Sequence, residues 1–229
     1  MGTRYGALGR FLGGIFGTGG KTRIEEMYEK LVTNWLQGDE EIDIIGFSRG
    51  AALAVHFSNV ITQWGIRNND QILAASPPII FLGVWDIVGS FGIPINIVFN
   101  FQDINIGYDL TVSDNVQHCF HAMALNERRQ TFELTRLDTR HTHNNIEERW
   151  FRGVHSDVGG GNGNTKLSNI SLQWMLEKGI ACGLPIQASA IDAYSVSDQM
   201  APINENFDPF EKISIGHMPV TILNTMHGW

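Results

Sequence analysis

Apolar residues recur with two different spacings along this chain. Between residues 24 and 36 they return every three or four positions, which predicts an amphipathic helix that stops at Gly38. Short apolar runs at 42–45 and 79–85 instead predict strands buried in a parallel sheet. The first of these runs is followed by apolar residues at helical spacing: Leu53, Phe57, Val60, Ile61 and Trp64. Alternation of strands and helices is typical of an α/β domain.

The alternation continues through the middle of the chain. Residues 116–125 and 149–154 are further strand-like runs, and 170–180 have helical spacing. Residues 186–229 show no strong period, so we expect an irregular segment there. The length suits one enzyme-sized domain, and residues 1–229 are predicted to form a single α/β-hydrolase domain.

One long segment interrupts this alternation. Residues 89–115 are rich in Gly, Pro and Asn, yet they contain nine large apolar side chains between Phe91 and Ile106. Irregular segments of this length inside a compact domain are usually functional. The apolar content predicts a lid or a lipid-facing insertion.

Charge and composition limit which partners and which cellular locations we expect for this protein. The net charge of −8 and the lack of a Lys/Arg cluster exclude a nucleic-acid partner, whose phosphates would be repelled. Residues 1–20 lack the apolar stretch of a secretory signal, and no run approaches a membrane span. We therefore expect a soluble protein that is cytoplasmic or exported without a cleavable signal.

The first predicted strand ends in the segment Gly46-Phe47-Ser48-Arg49-Gly50, and a predicted helix follows directly. A serine flanked by glycines at a strand-to-helix junction is typical of the nucleophile elbow of α/β-hydrolases, whose sharp turn leaves little room for side chains. The pattern predicts Ser48 as a nucleophile. The backbone N–H of Arg49, the residue after it, would be the first oxyanion donor.

An acid and a base should follow the serine in the order carboxylate, then histidine, each at the end of a strand. Asp86 follows the strand 79–85 directly, and His155 ends the strand-like run 149–154. His155 would take the Ser48 proton while Asp86 fixes its tautomer. Two weaker expectations accompany this choice. Asp86 could instead cap the next loop, and Asp157 could partly replace it in a variant.

Other histidines compete for the role of base. His118 and His121 lie three positions apart in a predicted strand, so they point to opposite faces and at most one could face the site. His121 is the stronger rival to His155.

Metal binding is the alternative use of these polar residues. His141 and His143 near Asp138, or His155 with Asp157, could contact a cation, but neither set has the spacing of a recognised zinc motif. We expect polar loop residues, with neither a metal nor a cofactor.

Four segments resemble the successive signatures of one family. They are, in order, GFSRGA at 46–51, FLGVWDIVGS at 81–90, HAMALNERR at 121–129 and WFRGVHSDVGGG at 150–161. The resemblance is to the α/β-hydrolase catalytic domain of type VI secretion phospholipase effectors of the first lipase class, and it spans roughly residues 2–185.

The resemblance implies a mostly parallel central sheet with flanking helices and a triad of Ser48, Asp86 and His155. It implies a serine hydrolase that cleaves carboxylic esters of lipids through an acyl-enzyme, with an ester or lipid substrate, no cofactor and transient contact with a lipid surface. The alternatives are a short-chain esterase without lipid preference and an inactive hydrolase-fold binding protein. Oligomeric state is left open.

The chain departs from the family pattern in two places. Family members begin with an extra strand that ends in Asp-Gly-Thr, of which Gly2-Thr3 resembles only the end. In the family, that turn would supply the second oxyanion donor. Because this sequence has only its end, the second donor stays unassigned, and residues 13–20 are one candidate for it. Asn126 also stands where the family carries Asp before Glu-Arg-Arg.

Overall fold

The computed structural model describes residues 18–89, 109–129, 132, 134–137, 145–204 and 220–223. Three segments singled out in the sequence lie outside these residues. They are most of the glycine-rich stretch 13–20, residues 90–108 of the predicted lid, and the polar loop with His141 and His143.

Each helix and strand predicted from the sequence has a counterpart among the described elements, but helices and strands alternate only as far as the second helix, after which five strands follow one another. In chain order they are α1 (Thr18–Trp35), β1 (Asp43–Phe47), α2 (Arg49–Trp64), β2 (Ile66–Asn68), β3 (Gln71–Ala74), β4 (Ile79–Trp85), β5 (Val116–Ala124), β6 (Asn145–Phe151), α3 (His155–Gly159), α4 (Ser168–Ala181), α5 (Ala188–Ala193) and β7 (Val220–Leu223). The last two lie within 186–229, where the sequence shows no strong period.

Five of the strands form one sheet in the order β6-β5-β4-β1-β7, and β2 pairs with β3 separately. Strands β1, β4, β5 and β6 are parallel, whereas β7 runs antiparallel to β1. The carboxyl ends of the four parallel strands therefore meet at one rim. This mostly parallel sheet with flanking helices is an α/β-hydrolase-like fold, as predicted.

Neighbouring residues of the strands enter different cores. Leu82 and Cys119 pack with α1 and α2, whereas Phe81 and Phe120 pack with α3 and α4. Because successive strand side chains point to opposite faces, the helices cover both faces of the sheet. The run at 79–85 has no charged residue for this reason, since both faces of its strand are covered, whereas the run at 42–45 is interrupted by Asp43, which is itself buried.

Helix α1 confirms the predicted amphipathic helix, and its core face carries Ile24, Tyr28 and Leu31. It ends at Trp35, three residues before the predicted stop at Gly38, which has φ 92°. Leu36 belongs to the apolar pattern but lies beyond the helix, and it is 53% exposed. The helical period therefore continues one residue past the end of the helix.

Residues 109–115, the end of the predicted insertion, are fastened to α2. Asn59 is buried and donates through Nδ2 to the carbonyls of Asp109 and Thr111, at 2.9 Å each. Ser113 donates to the Asn59 side-chain oxygen. This anchor fixes the chain where it enters β5. Within the described residues, no helix combines the length and apolar character needed to cross a bilayer.

Candidate active site

Ser48 lies in the turn between β1 and α2, with φ 60° and ψ −127°. A positive φ is strained for any residue other than glycine, and such strain persists only where the surroundings impose it. Here the Ser48 N–H donates to the Trp85 carbonyl at 2.9 Å, and the Ser48 carbonyl accepts from the Val88 N–H at 3.3 Å. The turn is thus tied to the end of β4.

Gly46 makes this turn possible. A Cβ atom at position 46 would lie 2.6 Å from the Gly50 carbonyl oxygen and 2.8 Å from the Ala51 Cα. The start of α2 therefore packs directly on the backbone of β1, with no room for a side chain. This is the close approach that the glycine-flanked serine predicts.

Asp86 follows β4 and is also held at a positive φ, 42°. Its N–H donates to the Ala122 carbonyl at 2.7 Å, and its Oδ1 accepts from the Ala124 N–H at 2.7 Å. Oδ2 lies 2.6 Å from Nδ1 of His155. The carboxyl group is 1% exposed, so these donors replace the water it has lost.

His155 lies at the same rim, although not at the end of a strand as predicted. β6 ends at Phe151, Gly153 turns the chain with φ 124°, and His155 is the first residue of α3. A glycine turn followed by a helix places the imidazole at the rim, which the strand-like pattern of residues 149–154 does not indicate.

Two aromatic rings flank the His155 imidazole. The Phe47 ring stacks on it at a centroid distance of 4.5 Å, and the Phe132 ring meets it edge-on at 4.9 Å. Because Phe47 immediately precedes Ser48, the imidazole lies beside the elbow. Its Nε2 is buried and has no hydrogen-bond partner among the described residues, whereas Nδ1 is bonded to Asp86. No hydrogen bond between Ser48 Oγ and this nitrogen is found within the described part.

Arg49 begins α2, and its backbone N–H is one of the four at a helix start that have no partner within the helix. The positive end of the helix dipole lies at the same point. Both features favour an anion beside Ser48, and the role of this N–H as an oxyanion donor stays a prediction.

His121, the predicted rival, is engaged at both ring nitrogens. Its Nδ1 lies 3.0 Å from Glu148 Oε1, and its Nε2 accepts from the Ile87 N–H at 3.2 Å. Burial by itself raises the pKa of Glu148, but hydrogen bonds from His121 and Arg136 outweigh it and lower that pKa to about 2. His121 is therefore a buried histidine satisfied by its neighbours, with no nitrogen left for a serine.

Asp157 is likewise fully occupied. Its Oδ1 accepts from the side chains of Asn162 at 2.7 Å and Asn204 at 2.6 Å, and its Oδ2 accepts from the backbone of Val154 at 3.1 Å and Asn204 at 3.0 Å. These four donors hold Asp157 in place, which argues against the expectation that it could partly replace Asp86. Within the described ranges, no three His, Cys, Asp or Glu side chains are grouped to hold a metal ion.

An apolar cavity of about 230 Å³ lies against the same rim. All three segments that carry Ser48, Asp86 and His155 contribute to its wall. The lining residues are Ile45, Gly46, Phe47, Trp85, Val158, Gly159, Gly160, Ser168 and Leu172.

Sequence comparison adds a family to this geometry. Residues 2–75 and 67–178 match the profile of the family described as T6SS, phospholipase effector Tle1-like, catalytic domain. The chain belongs to this family. The Tle1-like assignment confirms the resemblance drawn from the four sequence segments.

Two solved structures are similar to this Tle1-like chain. An uncharacterized protein from Pseudomonas aeruginosa is 24% identical with a TM-score of 0.47, over 78% of this chain and 30% of its own. The Tle1 effector bound to the VgrG spike of the type 6 secretion system is 28% identical with a TM-score of 0.47, over 63% and 31%. The chain thus spans less than a third of either structure. No curated protein matches it.

Glu127 is the feature of this Tle1-like site that the sequence did not assign. Its carboxylate accepts from the backbone N–H of His155 at 3.1 Å. The only signal was the Glu-Arg-Arg string, which marks the family without indicating a role. Phe132 was also missed, since a single aromatic residue in a polar segment has no periodic pattern.

Proposed function

We propose that this domain is a serine hydrolase that cleaves carboxylic esters of lipids, with Ser48, Asp86 and His155 as its triad. The observation that carries the proposal is the buried 2.6 Å hydrogen bond from His155 Nδ1 to Asp86, beside a serine held at φ 60°. Membership of a family of phospholipase effectors supports the choice of lipid as substrate.

The reaction follows from the roles of these groups. Ser48 Oγ attacks the ester carbonyl while His155 Nε2 takes its proton, and Asp86 stabilises the imidazolium through Nδ1. The Arg49 N–H stabilises the oxyanion. His155 then protonates the leaving alcohol, and water, activated by the same nitrogen, hydrolyses the acyl-enzyme. His155 accepts or donates the proton in each of these transfers.

Labelling with a fluorophosphonate tests the nucleophile directly. We expect one adduct per chain, on Ser48, because the probe reacts only with a serine that has both a base and an oxyanion donor. Peptide mapping by mass spectrometry identifies the modified residue. Labelling should be lost in His155→Ala and after heat denaturation. An adduct on another residue, or none on native protein, would contradict the proposal.

The apolar cavity predicts a preference for longer acyl chains. In Leu172→Trp the indole should fill part of it, so turnover of a p-nitrophenyl laurate should fall by about tenfold to a hundredfold relative to the acetate. Ile180→Trp is a matched control, because Ile180 is on the same helix, is exposed and does not line the cavity. Equal loss on both esters would mean that the acyl chain binds elsewhere.

A further inference from the structure

The Glu127 carboxylate is held by donors on both oxygens. Oε1 accepts from the backbone N–H groups of Arg128 at 3.0 Å and Arg129 at 2.8 Å, and from Arg129 Nε at 3.0 Å. Oε2 accepts from Arg129 Nη2 at 2.9 Å and from the His155 N–H at 3.1 Å. The side chains of Glu127 and Arg129 are 6% and 15% exposed, so this bidentate ion pair is largely shielded from solvent.

This arrangement keeps Glu127 ionised. Burial by itself raises the pKa of its carboxyl group, but the hydrogen bonds from Arg129 and the His155 N–H outweigh it and lower the pKa to about 2. At neutral pH the group is therefore a fixed negative charge. A hydrogen bond from a backbone N–H to such a charge is stronger than one to a neutral acceptor.

Arg129 extends the contact to the imidazole ring. Its guanidinium lies over the Phe132 ring, 3.8 Å from the centroid, and Phe132 meets the His155 ring edge-on. The Glu127–Arg129 pair thus reaches His155 at two points. One is its main-chain N–H, and the other is its ring, through Phe132.

His155 needs such support because its own element offers little. α3 has five residues, and the chain enters it from Gly153 in a left-handed conformation. Among the described residues, the ring makes one hydrogen bond, to Asp86. A base that must present Nε2 to Ser48 has to be held to within a fraction of an ångström.

We propose that Glu127 and Arg129 form a bracket of positioning residues that fixes His155 in the orientation needed for hydrolysis. The bracket acts through His155 and does not touch the substrate. The catalytic part of this inference rests on the proposed function, whereas the orientation of the imidazole can be measured without turnover.

Glu127→Gln and Asn126→Ala form a matched pair for the test. Asn126 fastens the same loop, since its N–H donates to the Gly153 carbonyl at 2.9 Å and its Oδ1 accepts from the Gly153 N–H at 2.9 Å, but it has no described bond to His155. A purely structural role would make the two variants alike. Both should lower the melting temperature, and only Glu127→Gln should affect the imidazole.

For Glu127→Gln we expect kcat on p-nitrophenyl butyrate to fall by about ten- to a hundredfold, with KM changed less than twofold. Arg129→Met should behave alike. Arg129→Lys should lose less kcat than Arg129→Met, because lysine keeps the positive charge although it lacks the planar guanidinium. In proton NMR spectra, the hydrogen bond between His155 Nδ1 and Asp86 should give a strongly deshielded proton signal. This signal should weaken in Glu127→Gln and persist in Asn126→Ala.

Retained kcat and an unchanged proton signal in Glu127→Gln, with only a lower melting temperature, would overturn the bracket. If this variant does not fold, the comparison of Arg129→Lys with Arg129→Met decides the question. If native protein shows no Ser48-dependent turnover, the proposed function fails. The proton signal then still decides whether the bracket orients His155.

Discussion

Ser48→Ala is expected to abolish ester hydrolysis, with a loss in kcat of about 10⁶-fold if Ser48 is the nucleophile. The fold should survive, because alanine removes one oxygen from a side chain for which the structure gives no hydrogen bond within the described residues. Turnover of p-nitrophenyl esters from acetate to palmitate is the measurement, and a thermal melt checks folding.

Ser58→Ala is the matched control for that variant. Ser58 is buried in α2, where its hydroxyl donates to the Val55 carbonyl at 2.7 Å, so the change removes a hydroxyl without touching the elbow. It should keep most of the turnover. Residual Ser48→Ala activity near that of the control would exclude Ser48 as nucleophile. Native activity restricted to acetate and butyrate would favour a short-chain esterase. The absence of native activity on every ester would favour a binding protein.

Asp86→Asn should lower kcat by about 10⁴-fold with little change in KM. The asparagine amide would present a donor to Nδ1, which moves the imidazole proton to Nε2 and leaves no acceptor for the serine proton. Asp157 should not compensate, since Asn162, Asn204 and Val154 occupy its oxygens. Initial rates on a soluble butyrate ester measure the loss.

Asp157→Asn provides the comparison for Asp86→Asn. It removes a buried carboxylate of the same helix turn as His155 but leaves the Asp86 hydrogen bond in place. We expect a lower melting temperature and a kcat within about tenfold of native. Similar losses in the two variants would show that any buried charge near α3 supports activity, and that Asp86 has no special role.

The sequence predicts the elements of this fold well wherever packing imposes a period. The apolar stripe of α1 follows from burial on one face, and the continuous apolar run of β4 follows from burial on two. Ser48 is recognisable because its turn restricts the residues around it, and Asp86 because a carboxylate directly after a buried strand requires a partner.

Contacts between distant main-chain and side-chain atoms have no such signal. The His155 N–H meets Glu127 across 28 positions, and a backbone donor places no demand on the type of residue that carries it. The turn at Gly153 and the helix that starts at His155 were not predicted for a related reason, because residues 149–154 resemble a single strand. Aromatic neighbours such as Phe132 become visible only when segments far apart in sequence are brought together.

The pairing of β1 with β7 has a consequence for the order of folding. Asp43 and Leu223 are partners across about 180 residues, the longest separation in the sheet. Contacts so far apart carry a large loop-closure entropy and form late. We therefore expect the strand that leads into Ser48 to pair with β4 before it pairs with β7. A variant that ends before residue 220 would leave the other edge of that strand exposed to other chains.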